Sequence, residues 1–157
     1  AQEHLATAIS SRVMAALYPR FVLGEQTKGR AMVATVCEEF HELGAWMVAD
    51  LLALEGWEVS YLGANTPTGD LLDMLLNLKP DLLALSSAMP FNLDRVQESI
   101  LAVRDREELQ STRILVGGRI FREMEDLWRL TGADGWARDA REAVVLAGQW
   151  WKEAGKR

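Results

Sequence analysis

Basic residues are in the minority: 17 Lys and Arg stand against 23 Asp and Glu, a formal charge of −6. A chain of that sign does not attract phosphate polyanions through its overall field, so direct nucleic-acid binding by this chain alone is not expected. Cysteine is nearly missing. Cys37 is the single one, which excludes an intrachain disulfide framework, suits a reducing compartment and reads as a small buried hydrophobe. With only His4 and His41 besides, a structural zinc site lacks its ligands. No apolar run approaches the ~20 residues of a membrane span, and the opening residues carry no signal-peptide pattern, so the expected location is cytoplasmic, away from membranes. What is present is an ordinary globular composition: 157 residues, 49% hydrophobic and 25% charged, enough for one domain with a substantial core. Ala1 already sits inside a helical pattern, as expected of a piece of a longer chain.

Residues Ala1 to Leu17 carry Leu5, Ile9, Val13 and Leu17 at every fourth position, the spacing of an amphipathic helix, which Tyr18-Pro19 ends. Gly24 to Gly29 is a polar connector. The period then changes. Met32 to Cys37 is a short continuous apolar run of the kind expected for a strand covered on both faces. Similar runs follow at Val59 to Leu62, Leu82 to Ser86 and Ile114 to Val116, with a weaker one at Asp134 to Ala137. Helical stretches lie between them. Leu43 to Glu55 stops at Gly56, and Thr66-Pro67 forms an N-cap and first turn ahead of Leu71, Leu72, Leu75 and Leu78. Asn92 opens a helix carrying Leu93, Val96, Ile100 and Val103; Arg122 to Thr131 ends at Gly132. Asp139 with Glu142 resembles a capping box for a last helix reaching Trp150 and Trp151.

Five strands alternating with helices make βα units, hence an α/β domain with a parallel sheet covered on both faces. The expected fold is a flavodoxin-like, Rossmann-like, doubly wound five-stranded sheet with one extra N-terminal helix. Residues 1–29 form the helix and connector and residues 30–157 the ligand-binding domain. Such folds bind ligands beyond the carboxyl ends of their strands. Those positions hold Glu38-Glu39-Phe40-His41-Glu42-Leu43-Gly44, Gly63-Ala64-Asn65, Ser86-Ser87-Ala88-Met89-Pro90, Gly117-Gly118 and Trp136-Ala137.

Several ligands are rejected on those residues. Neither GxGxxG nor GxxxxGK[ST] occurs, so a glycine-rich phosphate loop is missing, and acids and a histidine stand where a flavin phosphate loop would put hydroxyls. A phospho-receiver domain would need an Asp where Ser86 stands and a Lys where Trp136 stands. No GxSxG elbow supports a serine hydrolase. What remains is His41 with Glu39 two residues before it. One imidazole cannot hold a bare ion, but it can give one axial ligand to a metal already held in a macrocycle, its other nitrogen fixed by a carboxylate. The glycine pair suggests close approach of a bulky group to the backbone.

Together these residues resemble the cobalamin-binding domains, whose pattern is acid-x-His-x-x-Gly, then Ser-x-Leu or similar, then Gly-Gly. Here it reads Glu39-Phe40-His41-Glu42-Leu43-Gly44, then Ser86-Ser87-Ala88, then Gly117-Gly118, with 41 and 28 residues between the pieces, and it covers about residues 30 to 150. The sequence departs from the pattern in carrying Glu39 where Asp is usual and Ala88 at the third place of the serine motif. The resemblance implies that His41 displaces the cofactor's own benzimidazole and binds cobalt from below, with Glu39 orienting it. It also implies that the detached nucleotide tail lies in a slot, with Ser86 bonding the benzimidazole and Gly117-Gly118 making room. Phe40, Glu42, Gly44, Leu62, Gly63, Ala88 and Trp136 are the further expected cofactor contacts. Adenosyl-, methyl- and hydroxocobalamin are not distinguished.

Cobalamin domains of this kind serve mutases, methyl-transfer carriers and sensors that regulate transcription. Tyr61-Leu62-Gly63-Ala64-Asn65, Gly132-Ala133-Asp134-Gly135 and the opening Glu3-His4 are most similar to the light-responsive sensors and antirepressors. The resemblance therefore implies a sensory, photoreceptor-type domain of a regulatory protein, without catalytic residues of its own, working through another protein or a missing output domain. His4 is the candidate upper axial ligand, on a helical cap represented here only in part. The alternative is a corrinoid carrier of a methyltransferase system; a third reading is a flavodoxin-like interaction module without cobalamin.

Overall fold

The computed structural model describes residues 28–155 together with Ser10, Arg12 and Val13. The helix expected over Ala1–Leu17, apart from those three helical positions, and His4 with it, lie outside the described residues. The order of elements is β1 (Arg30–Thr35), α1 (Leu43–Leu54), β2 (Glu58–Gly63), α2 (Thr68–Leu78), β3 (Leu82–Ser86), α3 (Leu93–Arg104), β4 (Arg113–Gly117), α4 (Arg119–Glu123), β5 (Gly135–Ala137) and α5 (Ala140–Gly155). Short 3-10 turns occur at Pro90–Asn92, Glu107–Leu109 and Glu125–Leu130. The five strands are all parallel, in the order β2-β1-β3-β4-β5, so the fold is the doubly wound flavodoxin-like one. Strand order reverses at β1, whose neighbours are β2 and β3. The loops leaving β1 and β3 therefore diverge at the carboxyl edge and open a crevice there.

The two faces of the sheet are packed differently. One buries large aliphatic residues: Met32, Leu83, Leu85, Ile114 and Val116 meet Leu71 and Leu75 of α2, Val96, Ile100 and Val103 of α3, and Phe121 of α4. The other is rich in alanine: Ala31, Val33, Ala84, Leu115 and Ala137 meet Ala45, Ala49 and Leu52 of α1 and Ala143 and Ala147 of α5. Small side chains leave room between the sheet and these two helices. No helix among the described residues is long and apolar enough to cross a membrane.

Local departures from the sequence pattern have local causes. The first strand runs over Arg30–Thr35 and not to Cys37, because the chain turns sharply at Glu38, which adopts a left-handed φ of 64°. Cys37, in that turn, is half-buried rather than a core residue. Thr66 is buried ahead of α2, and the N-cap position falls to Pro67, whose ψ of 143° is extended. The helix expected over Arg122–Thr131 is broken. Fully buried Ile120 and Phe121 draw the chain into α4, Met124 leaves helical geometry at φ −136° and ψ 79°, and a 3-10 turn carries Leu127 and Trp128 against the core. Only half of the expected capping box forms: Asp139 Oδ1 accepts the Glu142 N–H at 2.9 Å, whereas Glu142 Oε2 accepts the Arg138 N–H.

Candidate functional site

The loop after β1 is held in an unusual backbone shape by its own polar groups. Glu38 and Asn65, at φ 64° and 51°, both occupy the left-handed region, where a side chain costs on the order of 1–2 kcal/mol. Three bonds offset that cost. The Glu38 N–H donates to Asn65 Oδ1 at 2.8 Å, the Asn65 N–H to the Glu39 carbonyl at 2.8 Å, and Thr35 Oγ1 to the same carbonyl at 2.9 Å. Strain so firmly countered is characteristic of sites where a side chain must be aimed.

The side chain so placed is Glu39, which is completely buried. Its Oε1 accepts the His41 N–H at 3.0 Å and lies 2.7 Å from His41 Nδ1. Its Oε2 accepts the Ala88 N–H at 2.7 Å, Asn92 Nδ2 at 3.1 Å, the Met89 N–H at 3.2 Å and, more weakly, Ser87 Oγ at 3.4 Å. Burial alone raises a carboxyl pKa. Here the bonds from Ala88, from the His41 backbone and ring, and from Asn92 outweigh it and hold the group at about 2 instead of 4.5. Glu39 is thus an anion at neutral pH and can only accept, so the bond to His41 is donated by Nδ1–H, and in the neutral ring the lone pair falls on Nε2. A neutral imidazole with one nitrogen fixed and the other available is the form that ligates a metal. Half of the His41 side chain remains exposed, so Nε2 is not sealed off by the protein.

Beside His41 opens a cleft of ≈ 370 Å³, within the size range of small-molecule sites. Thr35, Ser86, Gly117 and Ala137 lie in register across the carboxyl edge of the sheet. The cleft descends from that row to Val33, Ala84 and Leu115, two residues or roughly 7 Å deeper, between the sheet and Ala45 of α1 and Ala143 of α5. Its floor is apolar and its walls are short side chains. Arg119, Arg122, Arg138 and Asp139 add charge from the β4 and β5 ends.

Of the residues expected from the sequence, His41, Gly44, Ser86, Ala88, Gly117 and Gly118 line this cleft, and Glu39 lies directly beneath His41. Phe40 projects outward, 68% exposed, while Glu42 receives the Tyr61 hydroxyl at 3.1 Å and stands close to Gly63. Burial, and then the Glu42 charge, push the Tyr61 phenol well above its ordinary range, so it stays a donor. Leu62 and Trp136 are on the wrong side for this cleft: both pack against the large-aliphatic cluster on the opposite face of the sheet. Strand side chains alternate, so Ala137 faces the cleft and Trp136 cannot. The glycine pair also has a reason inside the chain. A Cβ on Gly118, whose φ is 107°, would collide with the backbone of Ser87, and one on Gly117 would press on the Ala137 carbonyl at 3.2 Å. Asn92, Ser87 and the arginines were missed. Asn92 reads as a helix opener, yet its side chain makes no cap bond and turns inward to Glu39.

These residues fit a corrinoid. Among the described residues no group of three His, Cys, Asp or Glu could hold a metal ion. His41 offers one lone pair, which suits an axial site on a metal held by a macrocycle. A Cβ on Gly44 would meet nothing within 4 Å, so a flat ring can approach the start of α1. The relatives agree with this chemistry. Residues 29–145 match the B12 binding domain family. The chain is 25% identical over 123 residues to a corrinoid protein of Desulfitobacterium hafniense, covering 78% of this chain and 56% of that protein. It is 34% identical over 87 residues to the HTH-type transcriptional repressor CarA of Myxococcus xanthus, covering 55% of this chain and 30% of that one. The chain spans about half the length of the corrinoid relatives it matches. The structure of the Methanosarcina barkeri monomethylamine corrinoid protein superposes with a TM-score of 0.76 over 87% of this chain and 65% of that one, at 22% identity, a likeness of fold. With the match extending over the whole sheet and the crevice at its carboxyl edge, the chain belongs to the B12-binding domain family, and its cofactor is cobalamin.

Proposed function

We propose that this chain binds cobalamin with the benzimidazole detached, His41 taking its place as lower axial ligand, and that it serves as the sensory domain of a regulatory protein in the cytoplasm. The observation that carries the ligand assignment is the buried Glu39, which engages His41 Nδ1 at 2.7 Å and leaves Nε2 as the nitrogen that can ligate. Glu39 selects the nitrogen that donates and holds the orientation of the ring. Ser86 stands at the top of the slot to meet the base, and the alanines below exclude water from it. An alkylcobalamin held there would supply a cobalt–carbon bond open to cleavage by light or to transfer to a partner. Residues 1–29 are assigned to a partial cap over that face, with His4 as the incoming ligand.

The sensory role is supported by the 34% identity to CarA and by the opening Glu3-His4. A second reading, a carrier within a methyltransferase system, is favoured by the longer match to the corrinoid protein of Desulfitobacterium hafniense. A sensor acts through an output domain or another protein; a carrier needs its upper face open to an enzyme. The ligand is tested by electron-spin spectra of the cob(II)alamin complex prepared with nitrogen-15 histidine. The expected result is coupling to labelled histidine, and coupling to the benzimidazole nitrogen would overturn the assignment. The role is tested by illuminating the adenosylcobalamin complex of wild type and His4→Ala. The sensor reading expects a six-coordinate product with a second imidazole in wild type and an aquo product in the variant. Aquo products in both remove His4 as the incoming ligand and favour the carrier.

A further inference from the structure

The mouth of the cleft carries a charge pattern opposite to that of the chain. The whole sequence has a charge of −6, yet the charged side chains lining the cleft, apart from His41, are three arginines and one aspartate. The arginines cluster on one side. Arg119 and Arg122 stand on α4 immediately after Gly118, and Arg138 follows β5, so all three leave the carboxyl ends of neighbouring strands. Asp139, which also caps α5 through the Glu142 N–H, offsets only one of them, so the lining stays net positive. The arginines themselves are loosely engaged. Arg119 reaches Glu123 only at 3.8 Å and places Nη2 3.3 Å from the sulfur of Met89, a poor acceptor. Arg138 meets Glu142 at 3.3 Å, and Arg122 has no ion pair among the described residues. Two of the three guanidinium groups thus have only exposed pairs along their own helix or at its start, and all three are free to turn toward a ligand at an otherwise apolar slot.

We propose that Arg119, Arg122 and Arg138 form an anion-binding rim that holds the phosphodiester of the cofactor's nucleotide tail, and so select corrinoids that carry this phosphate. The inference rests on the cobalamin reading and deepens it. In the tail the phosphodiester lies between the base with its ribose and the side chain that joins the corrin. A tail entering the apolar slot base-first therefore leaves its one negative charge at the mouth, where the guanidiniums stand. Arginine matches that anion: its planar fork gives paired N–H donors to two phosphate oxygens and stays charged at every relevant pH. The Glu39–His41 pair then grips the metal end of the cofactor while the rim grips its tail from the opposite side of the crevice.

The test separates phosphate from base by using two corrinoids that both lack the base, cobinamide and cobinamide phosphate. Dissociation constants are measured by absorbance titration on wild type, on Arg119→Gln/Arg122→Gln and on Arg138→Gln, at low and high salt. Wild type should bind cobinamide phosphate about tenfold more tightly than cobinamide, as expected for a partly exposed charge-assisted contact. That ratio should fall toward one in the double variant, decrease in Arg138→Gln, and shrink as salt rises. Equal affinities in wild type, or a ratio untouched by the substitutions, would overturn the proposal. The salt dependence of wild type decides the matter even if a variant folds poorly. Inorganic phosphate in excess should compete only with cobinamide phosphate; phosphate binding that leaves both corrinoids unaffected would assign the rim to a free anion instead. Failure of wild type to bind complete cobalamin or either corrinoid is a different result, which removes the cobalamin reading and this inference with it.

Discussion

At the scale of single residues the site turns on an asymmetry between Glu39 and His41. Glu39 is fully buried and accepts from two loops, whereas His41 is half-exposed and bonded mainly to Glu39. Replacing Glu39 by Gln keeps the shape but sets an amide N–H₂ against donors from Ala88, Met89 and Asn92 or from His41, leaving buried groups unpaired. Glu39→Gln should cost about 3 kcal/mol at pH 7, the free-energy equivalent of holding a carboxyl at about 2 instead of 4.5. A depressed folded pKa stabilises above the unfolded value of 4.5 and is lost as pH falls toward 2. The gap between wild type and variant in urea titrations should therefore be full at neutral pH, shrink to about half near pH 3, and close below about pH 2. A gap constant across that range would show that the ionised carboxylate is not the stabilising form. His41→Ala behaves differently. It should change stability by less than about 1 kcal/mol, as expected for a half-exposed partner, while cobalamin affinity falls and the histidine coupling disappears.

At the scale of elements, the glycines of the site divide by what their missing side chain faces. Gly118 faces the Ser87 backbone at a left-handed φ, so Gly118→Ala should destabilise by about 2–4 kcal/mol with or without cofactor, measured by urea denaturation of the ligand-free protein. Gly44 faces open space in the first turn of α1. Gly44→Ala should leave the ligand-free protein as stable or up to about 1 kcal/mol more stable, through helix propensity, yet weaken cobalamin binding by placing a methyl where the ring approaches. Unchanged affinity would move the ring away from α1. The same contrast explains what the sequence made legible. The strands and their order follow from apolar runs and helix stops, and the Glu39–His41 pair and the Ser86 and Gly117 edge follow from their place after those runs. Side-chain parity in short strands did not follow. In Gly135–Ala137 a glycine, a tryptophan and an alanine are all compatible with either face, so only the register with β4 settles that Ala137 looks into the cleft and Trp136 away. The arginine rim was hidden for a similar reason. Met124, Leu127 and Trp128 satisfy helical spacing, so Arg122 reads as the start of a longer helix, whereas buried Ile120 and Phe121 anchor a separate short helix whose Arg119 and Arg122 line the slot.

At the scale of the whole molecule, the slot lies between parts of the chain that are far apart in sequence. His41 and Ala45 form one wall, Val33, Ala84 and Leu115 the floor, and Ala137 and Ala143 the other wall. A ligand that fills it ties α1 to α5 across an alanine-rich layer. Binding to the native state alone stabilises by mass action, about 2.7 kcal/mol at a hundredfold excess over Kd, whichever ligand is used. Where that stabilisation appears depends on the ligand. If the benzimidazole enters the slot, complete cobalamin should slow amide hydrogen exchange in β5 and the first turns of α5, because local opening of that helix would release the base. Cobinamide at the same saturation should protect the loops around Glu39, His41 and Ala88, where the metal end is gripped, and leave α5 exchanging as in the ligand-free protein. Equal protection of α5 by both corrinoids would place the tail outside the slot while keeping His41 at the metal. Because the comparison holds saturation fixed, a difference confined to β5 and α5 reads the position of the tail and not the strength of binding.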